Sequence, residues 1–357
     1  MKKNDLAELR RQIDKIDENI VDLLNQRQTL AKKIGQYKNE QGLSLFDPGR
    51  EGELLAKLKK INRGNLPPKA LEHIYREIIS ASLAAQAPIS AGYLGPEGTF
   101  SHEAALHQFG RSANLLAQES LREVFQGVDR GRFTYGVVPV ENSSQGGVRE
   151  TLDLFLEYDL KVCQEISLRI SHNLVGKIEK LNEIKKVYSH PQVLSQCLRW
   201  LRTNLPGVPL LEASSSAAAA RTAAREKGSA AVTSEVAAEM NDLNIIVRGI
   251  EDAEQNITRF LVLSQTQGPR TGRDKTSIML AVEDKPGALF HLLEPFTLSN
   301  LNLSKIESRP MKHEAWKYVF FIDVEGHIED GPVLRTVEAA RNWCQWLKVL
   351  GSYPRVD

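Results

Sequence analysis

The chain has 357 residues, long enough for two or three domains each burying its own core. Lys+Arg number 46 against 45 Asp+Glu, a formal net charge of +1, which leaves no basic field for nucleic acid or a membrane surface. The eight His and three Cys (Cys163, Cys197, Cys344) show no CxxC, HExxH or other metal-ligand spacing, so neither a structural metal, nor a disulfide framework, nor any cofactor is expected.

The first residues, MKKNDLAELRRQIDK, are polar, and no apolar run approaches the roughly twenty residues of a membrane span. A soluble, cytoplasmic protein is the expectation. Apolar positions then recur at Leu6, Leu9, Ile13, Ile16, Ile20 and Leu23, a helical stripe that continues through Arg27, Leu30, Ile34 and Lys38. One helix over about residues 5–39 would run roughly 50 Å, too long for a compact lone domain, so a second chain should pack against it. Arg27 and Lys38 stand where the stripe asks for leucine, and buried cations need an anionic partner.

The segment DPGRE predicts a second helix, with Asp47 as N-cap, Pro48 in the first turn, and Arg50 and Glu51 at the end of its apolar face. A third helix opens at Pro67-Pro68 and runs to about Gln86, its apolar face leading into Ser82 and Gln86 one turn apart. Three helices that each point polar groups along an apolar face describe a pocket rich in cations, amide and hydroxyl donors, without an evident base or nucleophile.

Residues 5–87 resemble the all-helical class of chorismate mutases, which are dimers of intertwined three-helix chains. The resemblance implies that Arg10, Arg27 and Arg50 bind substrate carboxylates, with Arg10 reaching into the partner's site. It implies that Lys38 and Gln86 act on the ether oxygen of chorismate, and that Glu51, Asp47 and Ser82 make further substrate contacts. The chemistry suits these residue types, because a Claisen rearrangement needs a dianion held in a chair and donors where charge grows, but no proton transfer.

After the short linker APISA, strand and helix patterns alternate from Gly92 to about Ser264, which predicts a mostly parallel α/β architecture with two lobes and a cleft. Within it GVVPVENSSQGGV (Gly136 to Val148) reads as a strand that delivers a carboxylate, an amide and two hydroxyls to a glycine-rich turn ahead of a helix. Such a turn exposes N–H groups suited to a carboxylate or phosphate. Hydroxyl and amide clusters also fall at Thr99 and Ser101, at Ser189-His190-Pro191-Gln192, at Ser214 to Ser216, and at Asn256 to Phe260. Taken singly, each also fits a helix cap or turn.

In this order GYLGPEGTFSHEAA, VVPVENSSQGGV, YSHPQVLSQC and NITRF resemble the prephenate dehydratases over about residues 91–267. That family has two α/β lobes like those of periplasmic binding proteins. The resemblance implies that Thr258 is catalytic and that Thr99, Glu141, Asn142, Ser143, Ser189, Gln192, Arg259 and Phe260 bind substrate, with Arg259 holding a carboxylate.

A polar, glycine-containing linker, QTQGPRTGRDK, precedes the pattern strand, helix, strand, strand, helix, strand from Ser277 to Ser352, a ferredoxin-like α+β unit. DKPGALF at its first turn and IESRP on its second strand resemble the ACT domains of prephenate dehydratases. This implies that Gly287, Ala288, Leu289, Glu307, Ser308 and Arg309 respond to phenylalanine.

The expected organisation is a helical mutase domain (1–90), a dehydratase domain (91–267) and an ACT domain (275–357). The partners are then chorismate, prephenate, phenylalanine and further copies of the chain, as a homodimer or homotetramer, with no nucleic acid and no membrane. Two rivals stand beside this: a dehydratase that prefers arogenate, and a ligand-binding regulator without catalysis.

Overall fold

The computed structural model describes residues 3–41, 48–144, 146–253, 255–283, 285–310 and 318–356. Asp47, Asp284 of the C-terminal turn, and Trp316 and Lys317 at the expected start of a strand lie outside them. The chain forms two compact units, residues 1–90 with 109–114, and residues 91–108 with 115–357.

The first unit is helical: α1 (Lys3–Glu40), α2 (Pro48–Ile61) and α3 (Pro68–Gln86). Proline in the first turn of α3 forgoes an N–H that would have had no partner, and the helix ends where Ala87 turns extended and its N–H closes on Leu83 O. The C-terminal part of α1 packs on α3: Ala31 and Ile79 are buried, and Gln28 donates to Ala81 O at 2.7 Å. Gly35 makes this approach possible, since a Cβ there would lie 2.7 Å from Gln86 Cβ. Further toward the N-terminus the same stripe is bare. Leu6, Leu9, Ile13, Ile16, Ile20 and Leu23 are 43–63% exposed, an apolar seam without cover in the single chain.

The second unit holds three sheets. The first is built from β1 (Ser90–Leu94), β2 (Asn114–Gln118), β3 (Tyr135–Asn142), the two-residue β4 (Gly146–Gly147), β5 (Lys161–Arg169) and β11 (Ile257–Ser264), in the order β2-β1-β3-β11-β5 with β4 on β3. Helices α4 (Phe100–Phe109), α5 (Leu121–Asp129) and α6 (Arg149–Glu157) follow its early strands. The second sheet comprises β6 (Asn173–Gly176), β7 (Lys186–Ser189), β8 (Leu210–Glu212), β9 (Ser229–Thr233) and β10 (Asn244–Val247), in the order β10-β6-β9-β7-β8. It carries α7 (Pro191–Gln196), α8 (Leu198–Asn204), α9 (Ser216–Arg225) and α10 (Glu235–Met240).

Both sheets are mixed, where a mostly parallel one was expected. β1 and β3 run parallel, but β11 returns from the second sheet and inserts antiparallel between β3 and β5. In the second sheet β6 likewise runs antiparallel to β9 and β10. The reason is chain reversal: the segments that cross between sheets re-enter from the opposite end, a direction that local periodicity does not encode.

The third sheet has the expected order of elements, β12 (Asp274–Ala281), α11 (Ala288–Leu298), β13 (Leu303–Pro310), β14 (Tyr318–Glu325), α12 (Gly331–Arg341) and β15 (Trp346–Pro354). Its strands are ordered β13-β14-β12-β15, and the pairings are antiparallel. Alternate residues face opposite ways. Ile278, Leu280, Phe320 and Ile322 pack with Leu292 and Phe296 of α11 and Val333 and Val337 of α12. Met279, Val319, Phe321 and Tyr353 instead join Val162 and Leu261 of the first sheet, Phe125 of α5 and Phe155 of α6 in one hydrophobic core. Gly351 sits where β15 crosses β5, and a Cβ there would meet Val162 O at 2.2 Å. The segment read as a linker therefore joins two layers that share a core.

Candidate functional site

In the helical unit a cavity of about 540 Å³ opens among the three helices. Leu30, Ile34, Leu54, Ile79 and Leu83 give it an apolar wall, and Arg27, Lys38, Arg50, Glu51, Ser82 and Gln86 line it as well. Six of the expected mutase residues thus come together from α1, α2 and α3. Arg27 Nη1 donates to the Ser82 hydroxyl and, at 3.4 Å, to Ile78 O. Ser82 Oγ lies 2.8 Å from Ile78 O, so the hydroxyl that receives the arginine is itself fixed to its helix. Burial raises the pKa of Glu51, and the Arg76 guanidinium 3.9 Å away works in the opposite direction. Gln86 Oε1 is buried without a hydrogen-bond partner among the described residues, a polar atom held at the cavity wall. Arg50 pairs with Glu53 at 3.2 Å on the exposed side of α2. Arg10 is exposed and does not line this cavity; seventeen residues before Arg27, it sits roughly 25 Å away along α1.

In the second unit a cleft of about 410 Å³ is lined by groups from the first and second sheets. It gathers Thr99, Asn142, Gln192, Thr258 and Phe260 of the expected residues, together with Ser101, His172, His190, Gln196, Ser214 to Ser216 and Asn256. Asn142 and Thr258 are register partners on β3 and β11, and the Asn142 amide donates to Thr258 Oγ1 and to Asn256 Oδ1, each at 2.8 Å. Ser144 N donates back to Asn142 Oδ1 at 2.9 Å, so the amide is fully engaged and its orientation is set. Thr258 Oγ1 accepts that bond at the cleft wall.

The starts of α4 and α9 reach this cleft, with Ser215 Oγ capping α9 by accepting from Ala218 N at 3.0 Å. Their uncompensated N–H groups present partial positive charge to an anion. Neither Lys nor Arg is among the described residues that line the cleft.

Four expected residues are placed elsewhere. Ser189 is fully buried and donates to Val232 O at 2.6 Å inside the second sheet. Ser143 braces the loop, its hydroxyl accepting from Ile257 N at 3.0 Å. Glu141 and Arg259 leave β3 and β11 on the face away from the cleft, toward the third sheet, because strand neighbours of Asn142 and Thr258 must alternate. Thr99 lines the cleft but spends its hydroxyl on Pro96 O at 2.9 Å. His102 is stacked on Tyr93 with its Nδ1 accepting from Gly98 N, and His190 caps α7, its Nδ1 accepting from Gln192 N, so both have structural partners.

His172 and Gln196 were not singled out by sequence reasoning. His172 is 1% exposed, its Nε2 lies 2.7 Å from Gln196 Oε1, and its Nδ1 has no partner among the described residues. Burial lowers its pKa, against the opposing effects of Gln196 and Glu251. The available signal was Gln196 lying four residues after Gln192, on the same side of a helix.

On the third sheet, Gly287 adopts φ +80° at the start of α11, followed by buried Ala288 and exposed Leu289. Ser308 pairs with Phe320 on the helix-bearing face, whereas Glu307 and Arg309 turn toward the first sheet, Arg309 meeting Asp153 at 2.8 Å. The two expected ligand-response segments therefore share a face only through Ser308.

Among the described residues no helix is long and apolar enough to cross a membrane, and no group of His, Cys, Asp and Glu could hold a metal ion. Residues 9–87 match the type II chorismate mutase family, 91–268 the prephenate dehydratase family and 276–342 the ACT domain family. The bifunctional chorismate mutase/prephenate dehydratase of Aquifex aeolicus is 47% identical over 355 residues, covering 98% of each chain. A prephenate dehydratase from Arthrobacter aurescens in complex with L-Phe superposes with a TM-score of 0.68 at 32% identity, over 75% of this chain and 90% of that one. GqqA, described as a quorum quenching acylase, gives the same TM-score at 27% identity over 75% of this chain and 98% of its own. With three domain families in this order and a full-length relative, the chain belongs to the bifunctional chorismate mutase/prephenate dehydratase family.

Proposed function

We propose that the chain converts chorismate to prephenate in the helical cavity and prephenate to phenylpyruvate in the α/β cleft, under feedback control by phenylalanine at its ACT domain. We assign the domains to residues 1–90, 91–267 and 275–357. Within them we read the central lobes as periplasmic-binding-protein-like and the C-terminal unit as ferredoxin-like; the strand and helix order on the third sheet supports the latter.

For the mutase, the rearrangement breaks one C–O bond and makes one C–C bond without proton transfer. Arg27 and Arg50 hold carboxylates, Ser82 fixes Arg27, and Lys38 with Gln86 meets the charge that grows on the ether oxygen. Gln86 stays neutral, which keeps the rate independent of protonating a carboxyl at that place. Glu51 and Asp47 serve the substrate hydroxyl. The bare seam of α1 supports an intertwined homodimer, in which Arg10 extends to the partner's cavity.

For the dehydratase, the ring gains aromaticity as the C–C bond to the carboxylate breaks, carbon dioxide leaves, and the hydroxyl departs with one proton as water. Thr258 is the donor to that hydroxyl. Its proton is replenished from solvent, since a threonine hydroxyl scarcely titrates and can only relay. The N-termini of α4 and α9 and the hydroxyls around them hold the substrate carboxylates. The observation that carries this reading is the fixed Asn142–Thr258 pair, an aimed hydroxyl on a cleft wall. Thr258→Ala should cut turnover of supplied prephenate at least a hundredfold while leaving the chorismate reaction intact. Near-normal dehydratase turnover in that variant would remove Thr258 from the mechanism.

A further inference from the structure

The TRF segment lies on β11, whose successive side chains leave opposite faces. Thr258 and Phe260 face the cleft. Arg259, between them, faces the third sheet and is 17% exposed. Its Nε donates to Glu165 on β5 at 2.8 Å, and its Nη2 donates to the Tyr353 hydroxyl on β15 at 2.8 Å. The same Nη2 lies 2.7 Å from Asp323 Oδ2 on β14, an ion pair. Lys275 Nζ on β12 completes the group, 2.6 Å from Glu165 and 3.9 Å from Asp323. Two cations and two carboxylates thus meet inside the shared core, with Glu141 Oε2 3.9 Å from Arg259 Nη1 as a further acid at its edge, so removal of any one changes the charge balance around the others.

The neighbouring strand repeats the arrangement. Glu141, register partner of Arg259, reaches Lys305 on β13 at 2.8 Å, while Asn142, the next residue, bonds Thr258. Sending Arg259 into the cleft would require a one-residue slip of β11, which would turn Thr258 out of it.

We propose that Arg259 is a positioning residue of the dehydratase. It acts through β11, holding Thr258 in register with Asn142, and it is a charged contact by which the ACT sheet bears on that strand, beside the apolar contacts of Leu261. The inference rests on the dehydratase reading above, so the parent enzyme must first turn over prephenate; if it does not, that reading fails before this one is tested.

The test compares Arg259→Gln, Arg259→Lys, Asp323→Asn and the double variant Arg259→Gln/Asp323→Asn in the full chain. Each is assayed for dehydratase kcat and KM, for the phenylalanine concentration that halves the rate, and for thermal unfolding. The expected result is a 10- to 100-fold fall in kcat for Arg259→Gln, with KM changed less than threefold and partial rescue by lysine. Half-inhibition should need at least tenfold more phenylalanine in both single variants, and the double variant should be no worse than the poorer single one. If Arg259→Gln raises KM tenfold or more with kcat intact, Arg259 is a carboxylate ligand and the proposal is wrong. It is equally wrong if the two substitutions act independently, or if unfolding temperatures fall while the phenylalanine response stays at the parent's value.

Discussion

Gly35→Ala isolates the geometry of the helical cavity from its chemistry. The added Cβ would lie 2.7 Å from Gln86 Cβ and 2.9 Å from Gln86 Cα. Ordinary carbon–carbon contact is about 3.5 Å, so α1 and the end of α3 must part by roughly 0.8 Å. Part of that contact is backbone, which cannot swing aside as a side-chain tip would. Overpacking of this kind costs about 1–3 kcal/mol, and replacing a helical glycine by alanine returns about 1 kcal/mol, so the helical unit should lose no more than about 2 kcal/mol. The effect on rate should be larger than that loss suggests. Gln86 is a cavity group, and an error near 1 Å in a positioned donor can lower a rate about a hundredfold. The assay follows loss of chorismate in the parent and the variant, with conversion of supplied prephenate measured on the same preparations. A mutase rate reduced 10- to 100-fold, with the prephenate reaction unchanged, supports the reasoning. A mutase rate within threefold of the parent would refute the claim that the Gly35–Gln86 approach sets the site.

Ile13→Glu with Ile16→Glu puts charge on the bare seam of α1, and should both lower the oligomeric mass seen by sedimentation and abolish mutase activity; an unchanged oligomer would contradict the intertwined dimer. Asn142→Ala leaves Thr258 and Asn256 without their donor, so unfolding in urea should show a loss of about 1–3 kcal/mol and dehydratase turnover should fall at least tenfold. Burial, with Glu235 and Glu239 nearby, raises the Glu103 carboxyl from 4.5 to about 7. Between those values the unfolded chain ionises first, so stability falls as pH rises and the loss is complete above about pH 7. Glu103→Gln should therefore be more stable than the parent at pH 8 by up to about 3 kcal/mol and equal to it near pH 4, measured by urea unfolding at both.

Much of the helical site was legible because it is periodic. Arg27 and Lys38 break an apolar stripe, and Ser82 and Gln86 end another, so helical spacing alone brings them to one cavity. The cleft was legible in its loops but not in the facing of its strands. Asn142 and Thr258 sit in segments read as polar turns, yet their pairing depends on β11 returning antiparallel beside β3, a contact across more than a hundred residues. Once that register is set, alternation alone decides that Arg259 and Glu141 leave the cleft, which no local motif states. His172 was missed for the opposite reason. A single histidine after a strand carries no spacing signal, and only its burial beside Gln196 distinguishes it. The linker before Asp274 was read as a separator, but Gly351 lying against Val162 marks two layers packed into one core.

The most direct measurement is to incubate the purified full chain with chorismate alone and identify the product. The account predicts phenylpyruvate, formed without added prephenate, and its suppression by phenylalanine. Prephenate accumulating with no phenylpyruvate would leave the helical site standing and contradict the assignment of the cleft.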